Sequence, residues 1–244
     1  MKLIKSILHP TTQIIAIAAG CACTADAETI AEWTFEDSYS YIQASSGPGT
    51  ALTGVPAEVG SGTASGLHSS SSTKWTAPIG NGSSHSLSAN NWSEGDYYEF
   101  ETSTVGFDNI TVSYDQTSSS TGPGSFSLQY STDGQDFTPF QGYSVQENGG
   151  SHGSWNTTSS NPAYCYSFDL SPVAELNNAA NVYFRLVNAA GTTPSGGNIG
   201  AGGADRIDNF TIGVAAVPEP HGLFILGGLG LLGMSMVRRW QRVG

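Results

Sequence analysis

The chain has 244 residues, of which 20 are acidic and 8 are basic. Between residues 28 and 216 the imbalance is stronger, because three basic residues stand against 18 acidic ones and the net charge is −15. A nucleic-acid interface needs clustered lysine and arginine, so this composition excludes one. The charge also disfavours adsorption to anionic lipid, and it favours a soluble body whose acidic surface could attract divalent cations.

The first 27 residues have the features of an export signal. Two lysines lie among the first five residues, residues 14–19 are apolar, and the small residues at 25 and 27 suit a cleavage site before Glu28. We therefore expect residues 1–27 to be a signal peptide. Lipidation of Cys21 is an alternative, since small residues precede it. Both possibilities predict a protein that leaves the cytoplasm.

Short strands are predicted through the body by apolar and polar residues that alternate with a period of two. Val182 to Val187 is apolar enough for a strand buried on both faces, and Asp133-Gly134 predicts a hairpin turn. The predicted strands are residues 32–36, 98–101, 110–114, 126–130, 164–170, 182–187 and 207–214.

Little helix is expected. Ser171 and Pro172 favour the start of one short helix that continues to Asn178. Residues 45–91 are mostly Gly, Ser, Thr and Asn, which indicates long loops around one or two weak strands. Many short strands with little helix predict an all-β protein, an antiparallel β-sandwich of jelly-roll type.

The C-terminal residues 217–244 form a distinct tail. Val217, Pro218, Glu219 and Pro220 precede a run of 16 uncharged residues from 222 to 237. A helix of that length spans about 24 Å at ~1.5 Å per residue, which is shorter than the ~30 Å hydrocarbon core. The arginines at the end should stay on the cytoplasmic side of a membrane; they are Arg238, Arg239 and Arg242. A permanent anchor and a buried core helix are the alternatives to a sorting signal.

The Pro-Glu-Pro sequence, the single apolar segment and the terminal arginines together resemble the PEP-CTERM sorting tail of Gram-negative bacteria. That resemblance implies export, a transient stay in the inner membrane and processing by an exosortase. Release toward the outer surface or the extracellular matrix would follow. The expected organisation is a signal peptide at 1–27, a β-sandwich ectodomain at 28–216 and a sorting tail with a short transmembrane helix at 217–244. Cleavage and retention of the tail both remain open.

The body also resembles known proteins, on the segments 104–110, 121–123, 130–134 and 207–212. It is similar to the β-sandwich ectodomains that precede such tails and, more remotely, to the jelly-roll carbohydrate-binding modules of secreted glycosidases. In such modules the first and last strands are neighbours, and a carboxylate from each often holds a structural calcium ion. The resemblance thus implies Glu36 and Asp208 as calcium ligands, with Asp37 and Asp205 as alternatives. A solvent-facing Glu36 and a strand-capping Asp208 would explain the same residues without a metal.

Loop aromatics are the candidates for ligand binding. A sugar platform needs exposed rings that pack on C–H surfaces, and binding groups are often placed on loops. The aromatic residues in or beside loops are Trp75, Trp92, Tyr97, Tyr143 and Trp155, with the three tryptophans as the principal candidates. Each could instead close the end of the hydrophobic core.

No residue pattern indicates catalysis. Gly149 to Gly153 matches G-x-S-x-G, but a nucleophile elbow needs a strand before the serine and a helix after it, and loop sequences flank this one. We therefore expect a non-enzymatic protein of the cell surface or extracellular matrix, with a structural or adhesive role in exopolysaccharide or envelope. A calcium-dependent carbohydrate-binding protein is the alternative. The expected partners are the export machinery, the exosortase and exopolysaccharide.

Overall fold

The computed structural model describes residues 28–44 and 47–215. The predicted signal peptide and sorting tail lie outside the described residues. Among the described residues, no helix has the length and apolarity that crossing a membrane requires.

Within the described ranges the chain forms 13 strands, one α-helix and three short 3-10 helices. The strands are β1 (Thr29–Trp33), β2 (Ala51–Pro56), β3 (Val59–Gly60), β4 (Gly62–Leu67), β5 (Trp75–Thr76), β6 (Leu87–Asn90), β7 (Tyr97–Thr102), β8 (Ile110–Ser118), β9 (Ser125–Ser131), β10 (Thr138–Ser144), β11 (Cys165–Asp169), β12 (Val182–Asn188) and β13 (Ala204–Val214). The helices are α1 (Tyr39–Ala44) and the 3-10 turns Gly150–His152, Pro162–Tyr164 and Ala174–Leu176.

The strands form two antiparallel sheets. Sheet A has the order β11-β8-β13-β1-β3, and β6 pairs with β13 and with β5. Sheet B has the order β10-β9-β12-β7-β4-β2. The first strand pairs with the last, as expected, since Trp33 of β1 lies opposite Phe210 of β13. The prediction of an all-β protein with antiparallel sheets is confirmed.

Aromatic rings join the two sheets. Phe100 of sheet B stacks on Phe210 of sheet A with ring centroids 3.5 Å apart. Trp33 meets these two rings edge-on, at 5.2 Å and 6.0 Å, and its indole N–H donates to the carbonyl of Val55 at 3.2 Å. All three rings are fully buried. Large aromatic side chains bury ~150–250 Å² each, so this contact supplies much of the driving force that packs sheet B on sheet A.

The first strand ends earlier than predicted, at Trp33, because a carboxylate captures the chain that follows it. Phe35 has a positive φ of 61°. Glu58 accepts hydrogen bonds from the backbone N–H groups of Thr34, Phe35, Asp37 and Ser38 and from the hydroxyls of Thr34 and Ser38, at 2.5–3.0 Å. Residues 34–38 therefore form a turn that points its donors at one carboxylate.

Three other sequence predictions need correction. Val182 to Val187 is not buried on both faces, because β12 alternates strictly between buried and half-buried residues. Residues 45–91 contain the five short strands β2 to β6 instead of one or two, and α1 was not predicted. The predicted helix at 171–178 is only the single 3-10 turn at 174–176.

Replacement of Glu58 by Ala should destabilise the fold by about 3 kcal/mol, because six donors of residues 34–38, most of them partly buried, lose their acceptor. Burial raises the pKa of Glu58, but hydrogen bonds from Ser38 and Thr34 outweigh it, and the pKa falls below its ordinary value of 4.5. The carboxylate therefore stabilises the fold above pH ~4.5 and loses this effect as the pH falls through the lowered pKa. Urea denaturation at pH 7 and pH 3 should show a smaller difference in the free energy of unfolding between wild type and Glu58→Ala at pH 3.

The control is Glu94→Ala, which removes an exposed carboxylate. A loss below ~0.5 kcal/mol for Glu58→Ala at pH 7 would contradict the role of Glu58.

Candidate functional site

The outer face of sheet B brings aromatic, acidic and basic side chains together. β7 and β12 alternate, so that Tyr98, Phe100, Phe184 and Leu186 enter the core. The intervening side chains are half-buried on the opposite face; they are Tyr97, Glu99 and Glu101 of β7 and Tyr183, Arg185 and Val187 of β12. We define the outer-face cluster as Tyr97, Glu99, Glu101, Phe137, Tyr183 and Arg185.

Strand register places Arg185 at the centre of the cluster. It lies opposite Glu99 of β7 on one side and Gln129 of β9 on the other. Its Nε donates to Oε2 of Glu99 at 2.6 Å. Ser65 of β4, which lies opposite Glu99 on its other side, donates to Oε1 at 3.4 Å. A polar row therefore crosses four adjacent strands, which at ~4.8 Å per strand is about 14 Å wide.

Two aromatic rings hold the guanidinium of Arg185. Its Cζ lies 3.6 Å from the ring centroid of Phe137 and 4.0 Å from that of Tyr97. Cation–π contacts of this kind and the Glu99 hydrogen bond fix a side chain that otherwise has large rotamer freedom. Only about a fifth of each of the Arg185 and Glu99 side chains is exposed. The group is thus held in place before any ligand arrives.

The β9–β10 hairpin, which Asp133-Gly134 correctly predicted, positions Phe137. Asp133 accepts hydrogen bonds from Ser131 Oγ and from the N–H groups of Gln135 and Asp136. Gly134 has φ 72°, and a Cβ there would lie 3.1 Å from the Tyr183 ring. The turn therefore rests on Tyr183 and needs glycine at this position. Its internal hydrogen bonds fix the conformation of the turn, which borders the cluster.

The cluster also borders a shallow depression of about 290 Å³. Glu101 belongs to both the outer-face cluster and the depression. Burial raises the pKa of the Tyr183 hydroxyl, and its hydrogen bond with Glu101 raises that pKa further. The depression is lined by Ser61, Gly62, Thr63, Glu101, Thr102, Ser103 and Asn181. Polar groups of this type offer donors and acceptors to hydroxyl-rich molecules.

The three tryptophans predicted as ligand platforms are buried. Trp75, Trp92 and Trp155 are 0%, 5% and 2% exposed. The ring of His68 lies between the first two, with centroids 4.7 Å from Trp75 and 4.2 Å from Trp92. The prediction of exposed indole faces is therefore wrong for these three residues. Trp75 and Trp92 also pack on Tyr98, with ring centroids 6.1 Å and 5.0 Å apart, so both rings belong to the hydrophobic core.

The two tyrosines predicted to lie in or beside loops belong to strands, Tyr97 to β7 and Tyr143 to β10, and their surroundings differ. Tyr143 packs against the core, and its hydroxyl donates to Oε1 of Gln116 at 2.8 Å. Tyr97 alone among the five aromatic candidates belongs to the outer-face cluster.

Asp208, a predicted calcium ligand, is fully buried and already accepts hydrogen bonds at both oxygens. Oδ2 accepts from the N–H of Asn81 at 2.8 Å and from the hydroxyl of Ser83 at 2.7 Å, and Oδ1 accepts from the N–H of Asn209 at 2.9 Å. Burial raises its pKa to about 7. A calcium ion needs 6–8 oxygen ligands, and N–H donors compete for those lone pairs.

Glu36 contacts the same loop from its other end. Its Oε1 accepts from the backbone N–H of His85 at 2.6 Å and lies 3.7 Å from the ring Nδ1. Glu36 and Asp208 therefore hold residues 80–85 at two points. Of the alternatives, Asp37 is exposed and Asp205 is buried with Oδ1 accepting from Gln116. This arrangement does not fit a calcium site, and bound calcium remains an untested prediction.

The G-x-S-x-G match does not form a nucleophile elbow. Ser151 lies within the 3-10 turn Gly150–His152, and the bridge between Gly149 and Gly153 closes a small loop around it. The strand and helix that such a serine requires are not on either side of it.

Sequence reasoning missed Glu99, Glu101, Phe137, Tyr183 and Arg185. The alternation of β7 was recognised, but nothing in a single strand shows which neighbour it pairs with. Arg185 is one of only three basic residues between 28 and 216, and this rarity is the one feature of the sequence that could have indicated a functional role for it.

No protein-family model and no curated protein matches the chain. Some solved structures have weak similarity. The xylan-binding domain CBM22-2 of Paenibacillus barcinonensis Xyn10C is 14% identical, with 76% of this chain and 99% of that one covered at a TM-score of 0.41. TmCBM61, solved with β-1,4-galactotriose, is 10% identical over 62% and 87% of the two chains at 0.36. The K1 adhesin domain of Lys-gingipain from Porphyromonas gingivalis is 11% identical over 59% and 84% at 0.37. Likenesses this weak support no conclusion about activity.

Removal of divalent cations with EDTA should leave the melting temperature unchanged, because protein donors already satisfy both oxygens of Asp208. Differential scanning calorimetry at pH 7 with calcium and with EDTA measures this. A fall of more than ~4 °C in EDTA that calcium reverses would restore the calcium site.

Proposed function

We propose that the body of this protein is a non-catalytic carbohydrate-binding module whose ligand contacts the outer-face cluster. The observation that carries the proposal is the guanidinium of Arg185, which is fixed between the rings of Tyr97 and Phe137 beside the carboxylate of Glu99. Calcium is not required for this mode of binding.

The groups of the cluster are those that a sugar needs. Sugar C–H faces pack against aromatic surfaces, while hydroxyls both donate and accept hydrogen bonds. Tyr97, Phe137 and Tyr183 provide apolar ring surface, and the two tyrosines each add a hydroxyl. Arg185 provides planar donors, and Glu99 and Glu101 provide acceptors. Since these side chains lie on adjacent strands of one sheet, they are held more precisely than groups on separate loops.

The termini suggest where this binding takes place. The signal peptide at 1–27 and the PEP-CTERM-like tail at 217–244 favour export and sorting by an exosortase, with an inner-membrane intermediate. A module delivered in this way to the outer surface or the extracellular matrix would act as an adhesive or structural component of exopolysaccharide or envelope.

Replacement of Tyr97 by Ala should lower the affinity for a bound glycan at least ~10-fold, because one of the two rings that hold Arg185 is lost. The measurement is a glycan-array screen of the purified protein, followed by calorimetric titration with the glycans that bind. Tyr41→Ala is the matched control, since Tyr41 is half-exposed on α1, outside sheet B.

The two outcomes are distinct when both variants melt within a few degrees of the wild type. Saturable binding that Tyr97→Ala weakens and Tyr41→Ala leaves unchanged supports the proposal. A blank array over folded wild-type protein, or binding that is insensitive to Tyr97, would overturn it and leave a structural matrix protein.

The sorting proposal has its own test. The mature protein isolated from its native host should lack the tail beyond the Pro-Glu-Pro sequence when its C-terminus is determined by mass spectrometry. Retention of residues 221–244 in the mature protein would show that the tail is a permanent anchor.

A further inference from the structure

The charges of the outer-face cluster decide which class of glycan it can take. We infer that the site selects neutral glycans and rejects those that carry uronic acids. This inference rests on the proposed function, because it names the substrate class of the same site.

Arg185 is not available as a free positive charge. Its Nε lies 2.6 Å from Oε2 of Glu99, and both side chains are about four-fifths buried, where solvent screens the pair less than at an exposed position. The guanidinium carbon also lies over the rings of Phe137 and Tyr97, at 3.6 Å and 4.0 Å from their centroids. The remaining N–H groups can donate to a hydroxyl, but the charge that would attract a carboxylate is already balanced.

The rest of the face adds only negative charge. Glu101 lies two residues beyond Glu99 on the same side of β7. The other outward positions on the neighbouring strands are uncharged; they are Thr63, Ser65 and Leu67 of β4, Ser125, Ser127 and Gln129 of β9 and Val187 of β12. One arginine against two glutamates gives the outward side chains of β7 and β12 a net charge of −1, and the carboxylate of Asp133, in the hairpin that packs on Tyr183, adds to the negative charge. The 28–216 segment as a whole carries −15, so the long-range field also repels polyanions.

The uncharged groups of the face are suited to neutral glycans. Ring surfaces, the amide of Gln129 and the hydroxyls of Ser65 and Thr63 can meet an uncharged sugar without desolvating an unpaired charge. A uronate placed on the same face would meet Glu101 and the Arg185–Glu99 pair. Repulsion between like charges lowers the affinity of a binding site for the wrong ligand and so contributes to its specificity.

The test uses matched pairs of oligosaccharides, each a neutral chain and the same chain with its C6 hydroxymethyl groups oxidised to carboxylates. We expect the neutral member to bind at least ~10-fold more tightly at low ionic strength, which corresponds to about 1.4 kcal/mol. Because salt screens repulsion, this preference should shrink as sodium chloride rises from 20 to 500 mM. Equal binding of both members, or a preference for the uronate that salt abolishes, would overturn the inference.

Variants in which one glutamate is replaced by glutamine show which carboxylate sets the preference for neutral glycans. Glu99→Gln frees the charge of Arg185, and Glu101→Gln removes the unpaired carboxylate, so each should raise the affinity for the uronate relative to the neutral chain. Glu28→Gln changes the net charge by the same amount at an exposed position before β1 of sheet A and should leave that ratio unchanged. If Glu28→Gln shifts the ratio as much as the other two, the general field and not the cluster sets the preference, and the inference is wrong. If the wild-type protein binds no glycan at all, the proposed function fails first.

Discussion

The register between β7 and β12 is the constraint on which the candidate site depends. It places Arg185 opposite Glu99 on the outer face while Phe184 lies opposite Phe100 within the core. Because strand side chains alternate with a period of two, a slip of β12 by one residue would turn Arg185 toward the core and separate it from Glu99. The stack of Phe100 on Phe210 makes that slip costly, so packing between the sheets also fixes the chemistry of the surface.

Buried polar contacts reinforce the same arrangement from inside. Gln116 of β8 donates to Oδ1 of Asp205 in β13 and accepts from the hydroxyl of Tyr143 in β10. Tyr98 of β7 donates to the carbonyl of Asp205 at 3.0 Å. The bonds from Tyr143 and Tyr98 of sheet B join the two sheets across the core, while the bond between Gln116 and Asp205 joins two strands of sheet A. Burial raises the pKa of Asp205 well above its ordinary value. Such groups favour one alignment of the sheets, since any other leaves them unpaired.

Much of the fold could be predicted from the sequence, whereas the site could not. Alternation located β7, β8, β9, β11, β12 and β13, and Asp133-Gly134 located the hairpin, because both signals are local. The tryptophans were misassigned since a large ring in a polar loop fits a platform or a core plug equally well from sequence. Glu36 and Asp208 do reach a common loop, but as hydrogen-bond acceptors. The pairing of Arg185 with Glu99 joins residues 86 positions apart, which no local pattern encodes.

The most direct test of the account is an NMR titration of the isotope-labelled protein with a glycan that it binds. The account predicts that the Nε–Hε resonance of Arg185 and the amide resonances of β7 and β12 shift together and saturate with one affinity. Shifts confined to the loops around Trp75, Trp92 and Trp155, with the Arg185 resonance unmoved, would contradict it and place the ligand elsewhere on the protein.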